Sequence, residues 1–317
     1  MPTRKSRFLA SIYAKRHGRD RNFGYCAPPT DRPAVRIADN VVEHLIADDP
    51  PETLGLWPAL FQAWPQWNYG HQGTGDCVSW DHAHLLDVVL PILANAREIG
   101  PPTHRVATES IYGFGRVEVR GRPDYGGPGM SGYQAAEALT GWGYLLRRQY
   151  VGHDLRRYNG PRAIQWGRTG VPNSIERQAA QYKARKKIAV TTPEACAALV
   201  GAGYPVSYCG YTYWGRTRGR DGIATRFSSG WHAMTLTGRM YKSGRLVAFW
   251  VANTGHGDHC SGPTGPLPMP AAYAACGSWV PVDKVAPVLA RGDCFAFDHF
   301  GGWPRLPVES FAPDWLG

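Results

Sequence analysis

Cys77 is the residue of this chain best placed for chemistry, because it follows a glycine-rich run and opens a long, helix-like apolar pattern. The N-terminus of a helix presents unpaired N–H groups and a partial positive charge, and both stabilise a thiolate. Small residues before the cysteine leave room for a substrate backbone. Gln72, just upstream, adds an amide donor for a developing oxyanion. This arrangement predicts a nucleophilic thiol.

A candidate base and its orienting partner lie far downstream. His232 precedes an apolar run at residues 233–236, which suits a histidine at a strand start, and Asn253 follows the apolar run at residues 249–252. In the logic of a catalytic triad, the histidine takes the thiol proton and the asparagine accepts the imidazole Nδ1–H. We expect the Cys77 sulfur and a His232 ring nitrogen to lie within about 4 Å. The structural alternatives are a small buried hydrophobe, a structural histidine and a turn asparagine.

Hydrophobic periodicity and helix punctuation predict the elements that position these residues. The pattern after Cys77 is helical, and Pro91 inside it is expected to end or kink the helix. Residues 133–139 read as a helix and residues 187–190 as a strand. Thr192 is expected to cap a helix that has proline at its first position and Gly201 at its end, followed by a strand at residues 204–208.

The order Cys, His, Asn and this order of elements resemble the papain family of cysteine peptidases over residues 57–317. The resemblance implies an α+β fold with two lobes, one helical and one an antiparallel, β-barrel-like sheet. The helical lobe is expected at about residues 70–150 and the β-rich lobe at about 185–317. Together they form a domain at residues 51–317, preceded by a basic arm at residues 1–50.

The same resemblance implies hydrolysis of a polypeptide substrate through an acyl-enzyme, without cofactor or metal. The implied catalytic residues are Cys77, His232, Asn253 and Gln72. A glycine-rich segment is expected to bind the substrate backbone through Gly126, Gly127 and Gly129. Two departures from the family pattern stand out. Gln72 lies five residues before the cysteine instead of six, and Asp76 replaces a small neutral residue, where a carboxylate is expected to raise the thiol pKa.

Composition favours one large two-lobed domain. The chain has 317 residues, is 43% hydrophobic and contains 12 Trp and 16 Tyr, enough for a sizeable core. A membrane span is not expected, since no stretch approaches 18 consecutive apolar residues. The basic N-terminus lacks the apolar core of a secretory signal, and seven scattered cysteines do not resemble a disulfide framework. These features predict synthesis in the reducing cytoplasm. A zinc site at residues 256–260 is disfavoured because it lacks a second ligand pair.

Positive charge is concentrated in two segments. Residues 1–25 carry seven Lys or Arg against one Asp, and residues 147–187 carry eleven against two acidic residues. Contact with a polyanion such as nucleic acid is one interpretation, and a solvated face plus an arm that docks on an acidic partner is the other. The arm has little apolar surface to bury. We therefore expect it to contact neighbouring subunits of a large assembly, such as a phage particle, instead of its own domain.

Three functions remain open at this stage. The first is an active cysteine peptidase. The second is a structural or adaptor protein, for example of a virion, that uses the fold as a scaffold. The third is a cell-wall amidase, although the 155-residue separation of Cys77 from His232 disfavours the compact domains of that class.

Overall fold

The computed structural model describes residues 25–27, 43–97, 100, 102–121, 127–253, 260–299 and 305–306. Of the described elements, seven of the ten helices lie before residue 185 and six of the nine strands lie after it. The helices are α1 (Glu43–Ala47), α2 (Trp57–Ala63), α3 (Cys77–Ala96), α4 (Thr108–Arg116), α5 (Gly132–Gly141), α6 (Gly160–Thr169), α7 (Asn173–Ala179), α8 (Pro193–Gly201), α9 (Ala271–Ala274) and α10 (Val282–Leu289). The strands are β1 (Leu54–Gly55), β2 (Gln149–Tyr150), β3 (His153–Asp154), β4 (Lys186–Ala189), β5 (Val206–Trp214), β6 (Phe227–Lys242), β7 (Arg245–Ala252), β8 (Gly277–Pro281) and β9 (Phe295–Asp298).

Strand β6 is the centre of a five-stranded antiparallel sheet. It pairs with β7 along one edge and with β5 and then β1 along the other, and β8 extends the sheet beyond β7. Its register against β7 shifts twice, and irregularities of this kind bend and twist a strand, which lets the sheet curl. The expected α+β fold, with helices in one part and an antiparallel sheet in the other, is confirmed.

Helix α3 forms the centre of the protein and packs against β6, α2 and α4. It continues through Pro91 to Ala96, so of the two expected effects of Pro91, an end or a kink, the helix does not show the end. Proline removes one backbone hydrogen bond, but burial of almost the whole helix offsets that loss. Among the described helices, α3 alone is long and apolar enough to cross a membrane, and 94% of its apolar window is buried inside the protein.

Strand β4 and helix α8 match their predicted positions to within one residue, whereas β5, expected at residues 204–208, runs from Val206 to Trp214. Helix α8 runs from Pro193 to Gly201, and its predicted cap, Thr192, accepts a hydrogen bond from the backbone N–H of Ala195. All seven cysteines lie in the described part of the chain, and no disulfide bond links them.

Candidate active site

Cys77 is the first residue of α3, and its side chain is completely buried. Burial raises the pKa of the Cys77 thiol well above its usual value, because a thiolate would lose its hydration. A hydrogen bond from the backbone of Ala233 lowers this pKa, whereas the nearby carboxyl groups of Asp76 and Asp81 raise it. The thiol is therefore neutral in this state of the protein.

His232 and Asn253 are brought together by the pairing of β6 with β7. Thr235 pairs with Ala252 in that ladder, so Asn253, one residue beyond β7, lies level with the part of β6 that carries His232. His232 Nε2 lies 2.6 Å from Asn253 Oδ1, and both side chains are buried. An amide oxygen only accepts, so Nε2 carries the proton. The expectation that Nδ1 would make this bond was wrong, because ring rotation is not encoded in sequence spacing.

Helix α3, which begins at Cys77, packs against β6, which carries His232. The hydrogen bond from the backbone of Ala233 to the Cys77 thiol places the sulfur beside the residue that follows His232. Nδ1 of His232 is the ring nitrogen turned away from Asn253, and it is the one able to accept a thiol proton. His232 and Asn253 are thus in direct contact, and Cys77 lies beside Ala233 on the same strand as His232.

The nucleophile loop, residues 70–76, leads into Cys77. Gly70 has a φ of +79°, and a Cβ there would lie 2.8 Å from the Trp80 ring, so this position requires glycine. The Gln72 side chain is nearly buried, and its Nε2 donates to the carbonyl of Thr74 at 3.1 Å. In this state the amide predicted to stabilise an oxyanion makes a hydrogen bond within its own loop.

Asp76 adds an ionisable group directly before the nucleophile. It occupies the N-cap position of α3, but its side chain does not cap the helix. Its Oδ2 accepts a hydrogen bond from the Tyr158 hydroxyl at 2.8 Å. Burial raises the pKa of Asp76 to about 7, although the Tyr158 hydrogen bond opposes the rise and the negative charge of Glu109 adds to it. The carboxyl does raise the thiol pKa as expected, but less than burial does.

The glycine-rich segment is only partly described, since Gly126 lies outside the described residues. Gly127 and Gly129 adopt φ angles of +101° and +127°, which favour glycine. The Gly129 N–H donates to the Tyr112 hydroxyl at 3.1 Å, and its carbonyl accepts from Arg116. The protein itself therefore occupies the Gly129 N–H, and the predicted substrate contact has to use other atoms of the segment.

Residues 25–27 lie beside this segment. Tyr25 forms a parallel bridge with Met130, and the Cys26 N–H donates to the Met130 carbonyl at 2.9 Å. The Tyr25 ring is buried and packs against Trp231, the neighbour of His232, with ring centroids 5.3 Å apart. This part of the basic arm contacts its own domain, contrary to expectation. The reason is an aromatic residue that the arm's average composition concealed.

At least four of the eleven basic residues of the second basic segment form ion pairs: Arg147, Arg156, Arg162 and Lys187. Glu109, fully buried on α4, bonds Arg147 at 3.0 Å and Arg162 at 2.9 Å. It also accepts the Asn159 N–H at 2.9 Å. These contacts fix residues 157–160 next to the nucleophile loop. A cavity of about 750 Å³ lies beside them, lined by Asp154, Arg156, Arg157, Tyr158, Asn159 and Arg162.

No cluster of side chains able to hold a metal occurs among the described residues. Residues 256–259 of the disfavoured zinc motif lie outside them. The site residue that sequence reasoning missed is Tyr158, which lies 82 residues from its partner Asp76. A tyrosine within a basic segment gave no signal of that contact.

No protein-family model matches the chain, and no curated protein matches its sequence. Solved structures do match. Xylellain, a cysteine protease from Xylella fastidiosa, aligns with a TM-score of 0.61 over 89% of this chain and 98% of its own, at 14% identity. The chain has the papain-like fold. Procathepsin B S9 from Trypanosoma congolense aligns with a TM-score of 0.51 over 87% of this chain and 85% of its own, at 13% identity. At these identities the likeness establishes the papain-like fold and leaves activity to be argued from the site.

Proposed function

We propose that this protein is a cysteine peptidase that hydrolyses polypeptides through an acyl-enzyme. The observation that carries the proposal is the 2.6 Å contact of His232 Nε2 with Asn253 Oδ1, beside a cysteine at a helix N-terminus. An oriented imidazole next to a thiol is the arrangement that nucleophilic catalysis requires.

In the acylation step, Nδ1 of His232 takes the Cys77 proton as the sulfur attacks the peptide carbonyl carbon. The carbonyl oxygen becomes an oxyanion, which the Cys77 N–H and the Gln72 amide stabilise. The C–N bond then breaks, the imidazolium gives its proton to the leaving amine, and a thioester remains. Asn253 keeps the imidazole oriented through Nε2.

In the deacylation step, His232 takes a proton from water, and the resulting hydroxide attacks the thioester. The carboxylic product leaves, and the sulfur recovers its proton from the imidazolium. Every proton is held by residues of the chain or by water, so the cycle is complete without a cofactor.

A thiol-directed peptidyl electrophile tests the proposal directly. We expect one covalent adduct, located at Cys77 by mass spectrometry, together with loss of hydrolysis of a denatured protein substrate. Labelling that persists in Cys77→Ala, or a protein that neither labels nor hydrolyses, would contradict the peptidase proposal.

The second candidate is a structural or adaptor protein, and the burial and raised pKa of the Cys77 thiol favour it. A full-length protein that hydrolyses no peptide but forms a defined complex would support it. Lysis of purified cell walls would instead support the amidase alternative.

We also propose that the protein is made in the cytoplasm and works within a large assembly, such as a phage particle. The charge of the arm supports this proposal. Deletion of residues 1–24 is expected to leave a folded domain that no longer joins the assembly. Salt-sensitive nucleic-acid binding that disappears with this deletion would identify a polyanion as the partner instead.

A further inference from the structure

Tyr158 makes two hydrogen bonds to the nucleophile loop through its single hydroxyl oxygen. It donates to Asp76 Oδ2 at 2.8 Å and accepts from the Gly73 N–H at 2.9 Å. Gly73 directly follows Gln72, and Asp76 directly precedes Cys77. Residues 73–76 separate the two proposed oxyanion donors, the Gln72 amide and the Cys77 N–H. The Tyr158 hydroxyl oxygen bonds the first and the last residue of this stretch.

The tyrosine is itself held from several sides. Its ring packs edge-on against Trp80 of α3, with centroids 4.9 Å apart, and the Arg147 guanidinium lies 5.8 Å from the ring centre. The next residue, Asn159, donates its N–H to the buried Glu109 and caps α6 through its side chain. The hydroxyl is therefore presented by a fixed support, which is what precise positioning requires.

The backbones in this region also touch directly. A Cβ at Gly73 would lie 3.2 Å from the Cα of Gly160, and a Cβ at Gly160 would lie 3.3 Å from the Cα of Gly73. The nucleophile loop thus rests on residues 158–160 through a backbone contact as well as through the tyrosine.

We propose that Tyr158 is a positioning residue, which holds the Gln72 amide in register with the Cys77 N–H by linking Gly73 to Asp76. This role rests on the proposed peptidase function. The role of Tyr158 is in stabilising the oxyanion and not in moving the Cys77 proton to His232. The Tyr158 hydroxyl bonds the nucleophile loop and makes no described contact with His232.

Tyr158→Phe tests the role, since it removes both hydrogen bonds and keeps the ring. We expect kcat to fall about 10-fold with KM nearly unchanged, because the lost bonds serve the transition state. Alkylation of Cys77 by iodoacetamide, followed by mass spectrometry, is expected not to fall below its wild-type rate, because losing the Tyr158 hydrogen bond favours the neutral form of Asp76 and so removes negative charge beside the thiol. Tyr150→Phe is the matched control: Tyr150 accepts a backbone N–H from Leu146 at 2.9 Å, away from this loop, and its loss should leave kcat unchanged.

Gln72→Ala provides the decisive comparison. Alone it is expected to lower kcat about 100-fold, as loss of an oxyanion donor does. Combined with Tyr158→Phe it should cause little further loss, because both changes disable the same donor. Asp76→Asn keeps an oxygen acceptor for Tyr158 and should retain most activity, whereas Asp76→Ala should resemble Tyr158→Phe.

Three kinetic results would overturn the role of Tyr158. They are an unchanged kcat in Tyr158→Phe, fully multiplicative losses in the double variant, and a fall in Cys77 alkylation that matches the fall in kcat. A wild-type protein without hydrolysis or labelling would instead overturn the proposed function, and the positioning role with it. Amide hydrogen exchange at Gly73 is expected to accelerate in Tyr158→Phe, and unaltered exchange would also contradict the role.

Discussion

The two sides of the candidate site are held in place by different means. On the base side, the backbones of His232 and Asn253 are positioned by the β6–β7 ladder, a repeated set of backbone hydrogen bonds, and only the ring orientation depends on the Asn253 side chain. On the nucleophile side, the loop before Cys77 depends on a few side-chain contacts, above all those of Tyr158 with Asp76 and Gly73. Single substitutions should therefore displace the backbone of the nucleophile side more easily than that of the base side.

The largest effect is expected from Cys77→Ala, which removes the proposed nucleophile itself. Hydrolysis should fall by on the order of 10⁴-fold or more, while the melting temperature stays close to wild type, because a small residue suits a helix start. Hydrolysis rates and thermal unfolding measure the two outcomes. Cys196→Ala, which removes another buried helical cysteine, is the control and should retain activity. Undiminished hydrolysis by Cys77→Ala would contradict the nucleophile assignment.

Asn253→Ala tests the base side. The imidazole would lose its acceptor while the β6–β7 ladder stays intact, so kcat should fall about 10- to 100-fold with the fold preserved. Steady-state kinetics with circular dichroism would show this. Asn253→Asp keeps an oxygen at the same position and should lose less. If Asn253→Ala has wild-type kinetics, the orientation of His232 does not depend on this contact.

Asp76→Asn tests the nucleophile side through pH. The folded-state pKa of Asp76 is about 7, against an ordinary value of 3.8. Between these values the folded state binds more protons than the unfolded state, so this group lowers the free energy of unfolding as pH rises. The variant lacks this penalty. It should be more stable than wild type by on the order of 4 kcal/mol at pH 8, and the difference should shrink towards zero near pH 4.

Urea unfolding of both proteins at pH 4, 6 and 8 measures this difference. A gain in stability that is equal at all three values would show that it does not come from the titration of Asp76.

Tyr25→Ala tests whether residues 25–27, which lie near Cys77 on the nucleophile side and against Trp231 on the base side, restrict access to the thiol. Cys26 lies close enough to Cys77 to raise the pKa of its thiol, and Tyr25 holds this segment against Trp231. Losing an aromatic contact worth about 0.5–1.5 kcal/mol should favour local opening and speed alkylation of Cys77 by roughly 2- to 10-fold. Tyr241→Ala, which changes a tyrosine at the far end of β6, is the control. An unchanged alkylation rate would show that residues 25–27 do not restrict access to the thiol.

Features encoded over short distances were predictable from sequence. The start of α3 at Cys77 and the cap and proline of α8 follow from local punctuation, and the order Cys, His, Asn indicated the papain-like fold. The contact between Tyr158 and Asp76, the burial that raises the Asp76 pKa, and the packing of Tyr25 on Trp231 were not predictable. Each depends on segments that are distant in the chain, and no periodicity records which of them meet.

The backbone contact between Gly73 and Gly160 has a consequence for the evolution of this site. A Cβ at either position would lie 3.2 or 3.3 Å from the opposite Cα, so the two segments would have to shift apart by a few tenths of an ångström, and this shift would lengthen the hydrogen bond from Gly73 to the Tyr158 hydroxyl. Natural relatives that keep this tyrosine should therefore keep both glycines and a hydrogen-bond acceptor at position 76, and relatives that lose one of the four should lose the others. Linked inheritance of these four positions, two on each segment, would distinguish this lineage from other proteins of the same fold.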